Sequence, residues 1–147
     1  MVARITFACK GRLTLIRSKN YILDFTHVYI DEDIQQESGI SLIDCSDIEG
    51  CDLYCSKAAE IEIKKRTEQY GIHGIHFIDS GNFHYVSEFW IRKINYDFIL
   101  IVFDHHSDMI KPMFGDILSC GSWILNALKN NQYLKQNHFD WNCTRTS

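Results

Sequence analysis

Six consecutive apolar residues, Phe98-Ile99-Leu100-Ile101-Val102-Phe103, run straight into Asp104-His105-His106-Ser107-Asp108. A short run rich in branched and aromatic residues predicts a strand buried on both faces, and such strands belong to parallel sheets covered by helices. The run is far below the roughly 20 residues that a membrane-spanning helix needs, so no integral membrane protein is expected. The polar segment that follows falls where open α/β sheets bind their ligands, at the carboxyl end of a strand.

The flanking pattern supports the same architecture. Arg4 to Ala8 and Leu13 to Ile16, around Lys10-Gly11, alternate weakly and predict a hairpin or two edge strands. Tyr21 to Phe25 is a further short extended piece, and Ile40 to Ile43, between Gly39 and Asp44, suits a buried strand. From Ser56 to Tyr70 the chain has neither Gly nor Pro, and Glu60 and Lys64 form a favourable i,i+4 pair, which predicts a helix. Ile72 to Ile78 then predicts a strand, ending at Asp79-Ser80-Gly81. Phe83, Val86, Trp90 and Ile94 recur at helical spacing behind Asn82, a good N-cap. Asp104 to Gly115 holds the only Pro and is expected as a loop, with a last helix over Ser122 to Lys129. Strand, helix, strand, helix, strand, loop, helix is the succession of a three-layer α/β/α sandwich with a mainly parallel sheet.

After Asn130-Asn131 a βαβ pattern calls for another apolar strand, and the segment from Gln132 to Ser147 holds no apolar run of strand length. The expectation is a single partial domain over residues 1–147, truncated or frame-shifted, with an atypical tail over 135–147. Such a chain would expose sheet edge and apolar surface, so poor solubility or dependence on a partner is expected.

Composition narrows the function. With 46% hydrophobic residues among 147, the chain is no disordered tail. A formal net charge of −4, with the basic residues scattered apart from Lys64-Lys65-Arg66, argues against nucleic acid as the primary ligand. The N-terminus MVARITFACKGR lacks the pattern of a secretion signal, which points to a cytoplasmic location. Six cysteines, at 9, 45, 51, 55, 120 and 143, form no CxxC or zinc-knuckle spacing and are expected as reduced thiols.

Two polar clusters sit at expected strand ends, Asp79-Ser80-Gly81-Asn82-Phe83-His84 and Asp104-His105-His106-Ser107-Asp108. Neighbouring parallel strands would bring them together. Carboxylate oxygens with imidazole nitrogens suit divalent Mn, Zn or Fe, and bridging carboxylates suit a two-metal centre that activates a shared water. In an extended segment Asp104, His106 and Asp108 would face one way, giving three ligands, and His84 a fourth. His105, Asp79 and Asp116 are weaker candidates. The acidic stretch Asp31-Glu32-Asp33 is expected as a solvated loop, and His27, His73, His76 and His138 have no partner pattern.

At these residues the sequence resembles the arginase family of ureohydrolases, over about residues 70–130. The family's D-x-H-x-D motif matches Asp104 to Asp108, and its glycine-rich turn bearing a metal-binding His looks like Ser80-Gly81-Asn82-Phe83-His84, with Asn-Phe where the usual turn has Gly-Asp. Phe114 to Trp123 resembles a segment of uncharacterised bacterial arginase-like proteins. The resemblance implies that His84, Asp104 and Asp108 bind one Mn²⁺ while Asp104 and His106 bind a second. The family's later D-x-D pair is absent, and Asp31-x-Asp33 comes in the wrong chain order to replace it. The implied activity is hydrolysis of C–N bonds in a small guanidino- or amide-type substrate, incomplete or inactive as this chain, with a homo-oligomer among the expected states. Alternatives are a DHH-type phosphoesterase, from Phe103-Asp104-His105-His106, a deacetylase of the histone-deacetylase type, and a non-catalytic remnant domain.

Overall fold

The computed structural model describes residues 19–29, 39–112 and 115–135, together with the backbone of residues 6–7. The expected strand Leu13 to Ile16, the acidic stretch Asp31 to Asp33, Phe114 and the tail beyond Lys135 lie outside the described residues. The elements run β1 Thr6–Phe7, β2 Asn20–Asp24, β3 Ile40–Asp44, β4 Tyr54–Cys55, α1 Lys57–Thr67, β5 His76–Ile78, α2 Ser87–Ile91, β6 Leu100–Ile101, β7 Leu118–Ser119 and α3 Trp123–Asn130. This is a mixed α/β architecture around a small parallel sheet in the order β3-β2-β5.

The strand buried on both faces is β2. Tyr21, Ile22 and Leu23 are wholly buried, and β2 pairs in parallel with β3 on one side and β5 on the other, Leu23 lying opposite Ile43 and Ile78. The expectation placed that role on Phe98 to Phe103, and the structure corrects it. Only Leu100–Ile101 is strand there, and it pairs antiparallel with β1. Phe98 and Leu100 are buried while Ile101 and Phe103 are exposed, so the run covers the core with one face. No ladder joins β5 to β6 among the described residues. A further short ladder, β4 with β7, is antiparallel and has no strong signature in the sequence.

Where a strand was expected and not found, the chain makes one parallel bridge, Phe98 with Leu134. Phe98 N–H donates to the Tyr133 carbonyl and Lys135 N–H to the Phe98 carbonyl, both at 3.0 Å. The chain from Phe98 through α3 to Leu134 is thus a parallel crossover, at the scale of a single bridge.

The helices follow their local chemistry. The Ser56 hydroxyl accepts from Ala59 N–H at 3.1 Å, capping α1. Its buried residues Ala59, Glu60, Ile63 and Thr67 fall on one face at helical spacing. A 3-10 turn, Glu68–Tyr70, closes the element, and Gly71 at φ 75° ends it in a conformation that favours glycine. The helix expected behind Asn82 begins differently: Gly81–Val86 is a 3-10 turn and only Ser87–Ile91 is α-helical. Asn82 caps nothing there and donates its side-chain amide to Asp52 Oδ1 at 2.8 Å. Among the described residues no helix is long and apolar enough to cross a membrane, and Cys45, Cys51, Cys55 and Cys120 are free thiols.

Candidate metal centre

His84 is delivered by a buried turn. Phe83, His84, Tyr85 and Val86 are all buried, which fixes the backbone far more firmly than a surface loop would. Phe83 stacks on Phe25 with ring centroids 4.2 Å apart and planes 2° apart, and Tyr85 donates its hydroxyl to the Cys51 carbonyl at 2.6 Å. Removing one such aromatic anchor from water contributes about 1.5–3 kcal/mol.

The two carboxylates arrive from the segment after β6. Asp104 Oδ1 accepts from His106 N–H at 3.1 Å, an Asx turn that bends the chain at His105 and His106. Asp108 has φ 49°, in the left-handed region where a non-glycine residue is strained. Its carbonyl accepts from Ile124 N–H at 3.2 Å and Leu125 N–H at 3.4 Å, so the loop caps the first turn of α3. Its carboxylate Oδ2 accepts from Trp123 Nε1 at 2.7 Å.

These elements bring His84, Asp104 and Asp108 together. One ligand atom from each lies within 4.8 Å of the others. His84 Nδ1 is 3.5 Å from Asp104 Oδ2, and His84 Nε2 is 3.5 Å from Asp108 Oδ2. The side chains are 10%, 3% and 4% exposed for His84, Asp104 and Asp108, so two carboxylates sit nearly dry beside one imidazole. Among the described residues neither carboxylate pairs with a lysine or arginine. Burial pushes the Asp108 carboxyl above its ordinary range and Asp104 adds to the rise, against the lowering effect of Trp123 and His84.

The donor set fits a divalent cation. Two buried carboxylates need positive charge, which a metal ion supplies. His84 Nε2 lies 3.0 Å from the Cys120 carbonyl. Donation there leaves Nδ1 with a free lone pair facing Asp104, the arrangement in which a ligating histidine is oriented by a carbonyl behind it.

The other candidates are placed differently. The His106 side chain is 82% exposed, with Nδ1 3.7 Å from Asp104 Oδ1, and it stands outside the cluster of three. His105 and Asp116 are exposed. Asp79 is buried and anchors a loop: its Oδ2 accepts from Phe25 N–H at 2.9 Å and Thr26 N–H at 2.6 Å, and its Oδ1 from the Thr26 hydroxyl at 2.8 Å. His27 Nδ1 lies 3.1 Å from Asp24 Oδ2. Two contributors escaped the sequence reading, the Cys120 carbonyl and Trp123. A backbone carbonyl leaves no trace in residue type, and a tryptophan at the start of a helix gives no sign in the sequence that its N–H reaches Asp108.

Comparison with known proteins adds one relative. An uncharacterised protein of Thermotoga maritima is 42% identical over 62 residues, which is 42% of this chain and 25% of that protein. The match therefore spans about a quarter of the length of the curated relative. No protein-family model matches the chain. No solved structure matches it.

Proposed function

We propose that this chain is part of a metal-dependent hydrolase of the arginase-like kind, with the three-layer sandwich and Mn²⁺ site that the resemblance implies, acting on a C–N bond of a small guanidino- or amide-type molecule. The observation that carries the reading is the convergence of His84, Asp104 and Asp108 in a buried pocket of negative charge. A bound divalent metal would supply Lewis acidity at that point. The chain's own part is to hold the ligands: the Cys120 carbonyl orients the imidazole, Trp123 orients Asp108, and the Asx turn fixes Asp104. In the two-ion arrangement implied by the resemblance, His106 would be the residue, with Asp104, to hold a second ion, from its exposed place at the rim. A cytoplasmic location and a small-molecule substrate go with this reading.

The placement of His106 favours a second reading, a non-catalytic domain that holds one ion or none, because the described residues gather three ligands and leave the fourth in solvent. Mn²⁺ titration followed by electron paramagnetic resonance separates the possibilities. Stoichiometric uptake that Asp104→Asn abolishes supports the hydrolase reading when hydrolysis of guanidino or amide compounds accompanies it. Uptake without turnover supports the second, and absence of uptake removes the metal centre altogether.

A further inference from the structure

The three side chains of the candidate centre offer one donor atom each. Asp104 Oδ1 accepts the His106 N–H at 3.1 Å, which leaves Oδ2, 3.5 Å from His84 Nδ1, as the oxygen facing the cluster. Asp108 Oδ2 accepts Trp123 Nε1 at 2.7 Å, and an oxygen held that closely by a buried donor is a poor half of a chelating pair. Each carboxylate is thus set to bind through one oxygen. On the imidazole, Nε2 lies 3.0 Å from the Cys120 carbonyl, so Nδ1 is the nitrogen left to ligate.

The surroundings limit what else joins an ion there. With side chains 10%, 3% and 4% exposed, His84, Asp104 and Asp108 leave little room for solvent ligands. A six-coordinate ion such as Mn²⁺ would need three waters beside three protein donors, whereas four-coordinate Zn²⁺ needs one. Charge sets the same limit. Two carboxylates balance one divalent ion, and among the described residues no further acid joins them in the cluster. A second ion would bring two uncompensated positive charges to a nearly dry site. His106 does not relieve this, because an imidazole brings no negative charge. Its side chain is also 82% exposed, with Nδ1 3.7 Å from the Asp104 oxygen that already accepts the His106 N–H.

We infer that the centre takes a single ion, Zn²⁺ in four-coordination, with His84, Asp104 and Asp108 as its protein ligands and the fourth position open to water or a small oxygen ligand. The single ion rests on the metal reading of the cluster proposed above, departs from the Mn²⁺ pair that the resemblance implies, and holds with or without hydrolysis. Three protein donors and one open position is the arrangement of catalytic zinc sites, in contrast to the closed four-donor sites that serve the fold alone.

The test uses the full chain with Zn²⁺ and with Co²⁺. Equilibrium dialysis against Zn²⁺ followed by elemental analysis should give one ion per chain at saturation. Co²⁺ enters zinc sites and absorbs visible light strongly when four-coordinate and weakly when six-coordinate, so the Co²⁺-loaded chain should show an intense band. Asp108→Asn keeps the side-chain shape and an acceptor for Trp123, and should lose both the ion and the band. His106→Ala, at an exposed position, should keep both, and circular dichroism verifies that each variant is folded. Two ions per chain, a weak band, no uptake, a band that survives Asp108→Asn in folded protein or one lost in folded His106→Ala overturns the assignment. Hydrolysis of guanidino and amide compounds is assayed separately. One ion without turnover keeps the single zinc and sinks the hydrolase reading, and two ions with turnover does the reverse.

Discussion

Trp123 Nε1 donates to Asp108 Oδ2 at 2.7 Å, and both side chains are nearly dry. The bond joins the first residue of α3 to the end of the segment that follows β6, two parts of the chain whose backbones also meet where the Asp108 carbonyl caps the helix. One contact thus sets the position of a helix and the direction of a carboxylate.

Trp123→Phe keeps the ring in the core and removes the donor. Loss of a hydrogen bond to a buried charged group should cost about 1.5–3 kcal/mol in a urea unfolding experiment. Because Asp108 would lose its orientation, Mn²⁺ affinity should fall by about tenfold, as removal of such outer partners does in metal sites. Unchanged affinity in a folded variant would show that Asp108 is no ligand.

Asp104 faces His84 and holds the Asx turn, whereas His105 points to solvent. Asp104→Ala should therefore abolish Mn²⁺ uptake, and His105→Ala should leave it nearly intact. Calorimetry of both variants decides this, and equal behaviour of the two would refute the assignment. His106→Ala tests the second ion: in a two-ion centre it lowers the number of ions bound without removing the first, and in a one-ion centre it leaves the number unchanged.

Asp79 offers a contrast, an acid at a strand end whose work is structural. Asp79→Ala would leave Phe25 N–H and Thr26 N–H without their acceptor. Each lost partner in a buried setting costs about 1–3 kcal/mol. A drop of about 3 kcal/mol in unfolding free energy, with Mn²⁺ uptake retained by the folded protein, is the expected result. Loss of uptake in protein shown to be folded would make Asp79 part of the site.

Local signals marked the first and last helices, and misjudged the one behind Asn82, which is a 3-10 turn over Gly81–Val86 and α-helical only over Ser87–Ile91. The Glu60 and Lys64 pair and the run from Ser56 without Gly or Pro marked α1, and the span Ser122 to Lys129, with Trp123, Leu125, Ala127 and Leu128 as its apolar residues, marked α3. What failed was the inference from apolarity to partner. Phe98 to Phe103 and Tyr21 to Leu23 are both apolar, yet only the second has parallel neighbours on both sides, because pairing depends on residues far away in the chain. At the site, alternation assumed an extended segment from Asp104 to Asp108. The Asx turn and the left-handed Asp108 break that geometry, which brings the two aspartates to His84 and leaves the His106 side chain in solvent.

His76 should make the fold sensitive to mild acid. Its ring stacks on Tyr21 at 4.1 Å and lies 4.4 Å from Trp90, and Nε2 is buried without a hydrogen-bond partner. Burial holds its pKa down from 6.5 to about 4, against a hydrogen bond to the His73 backbone that raises it and with a smaller charge effect of His73 that lowers it. The unfolded chain therefore takes up this proton near pH 6.5 and the folded chain near pH 4, so between them the unfolded state binds more protons. The stability is fully present above the unfolded value and is lost as pH falls toward the folded one, by about 2 kcal/mol at about pH 5. Glu60, where Lys57 and Lys64 outweigh burial, and Asp47, hydrogen-bonded to Arg66, both titrate near 2 in the folded protein, so their losses begin at lower pH. Urea midpoints measured between about pH 7.5 and about pH 5 should fall steeply in the natural chain and much less in His76→Phe, which keeps an aromatic ring in the stack. Parallel curves for the two would show that His76 reaches water in the folded state.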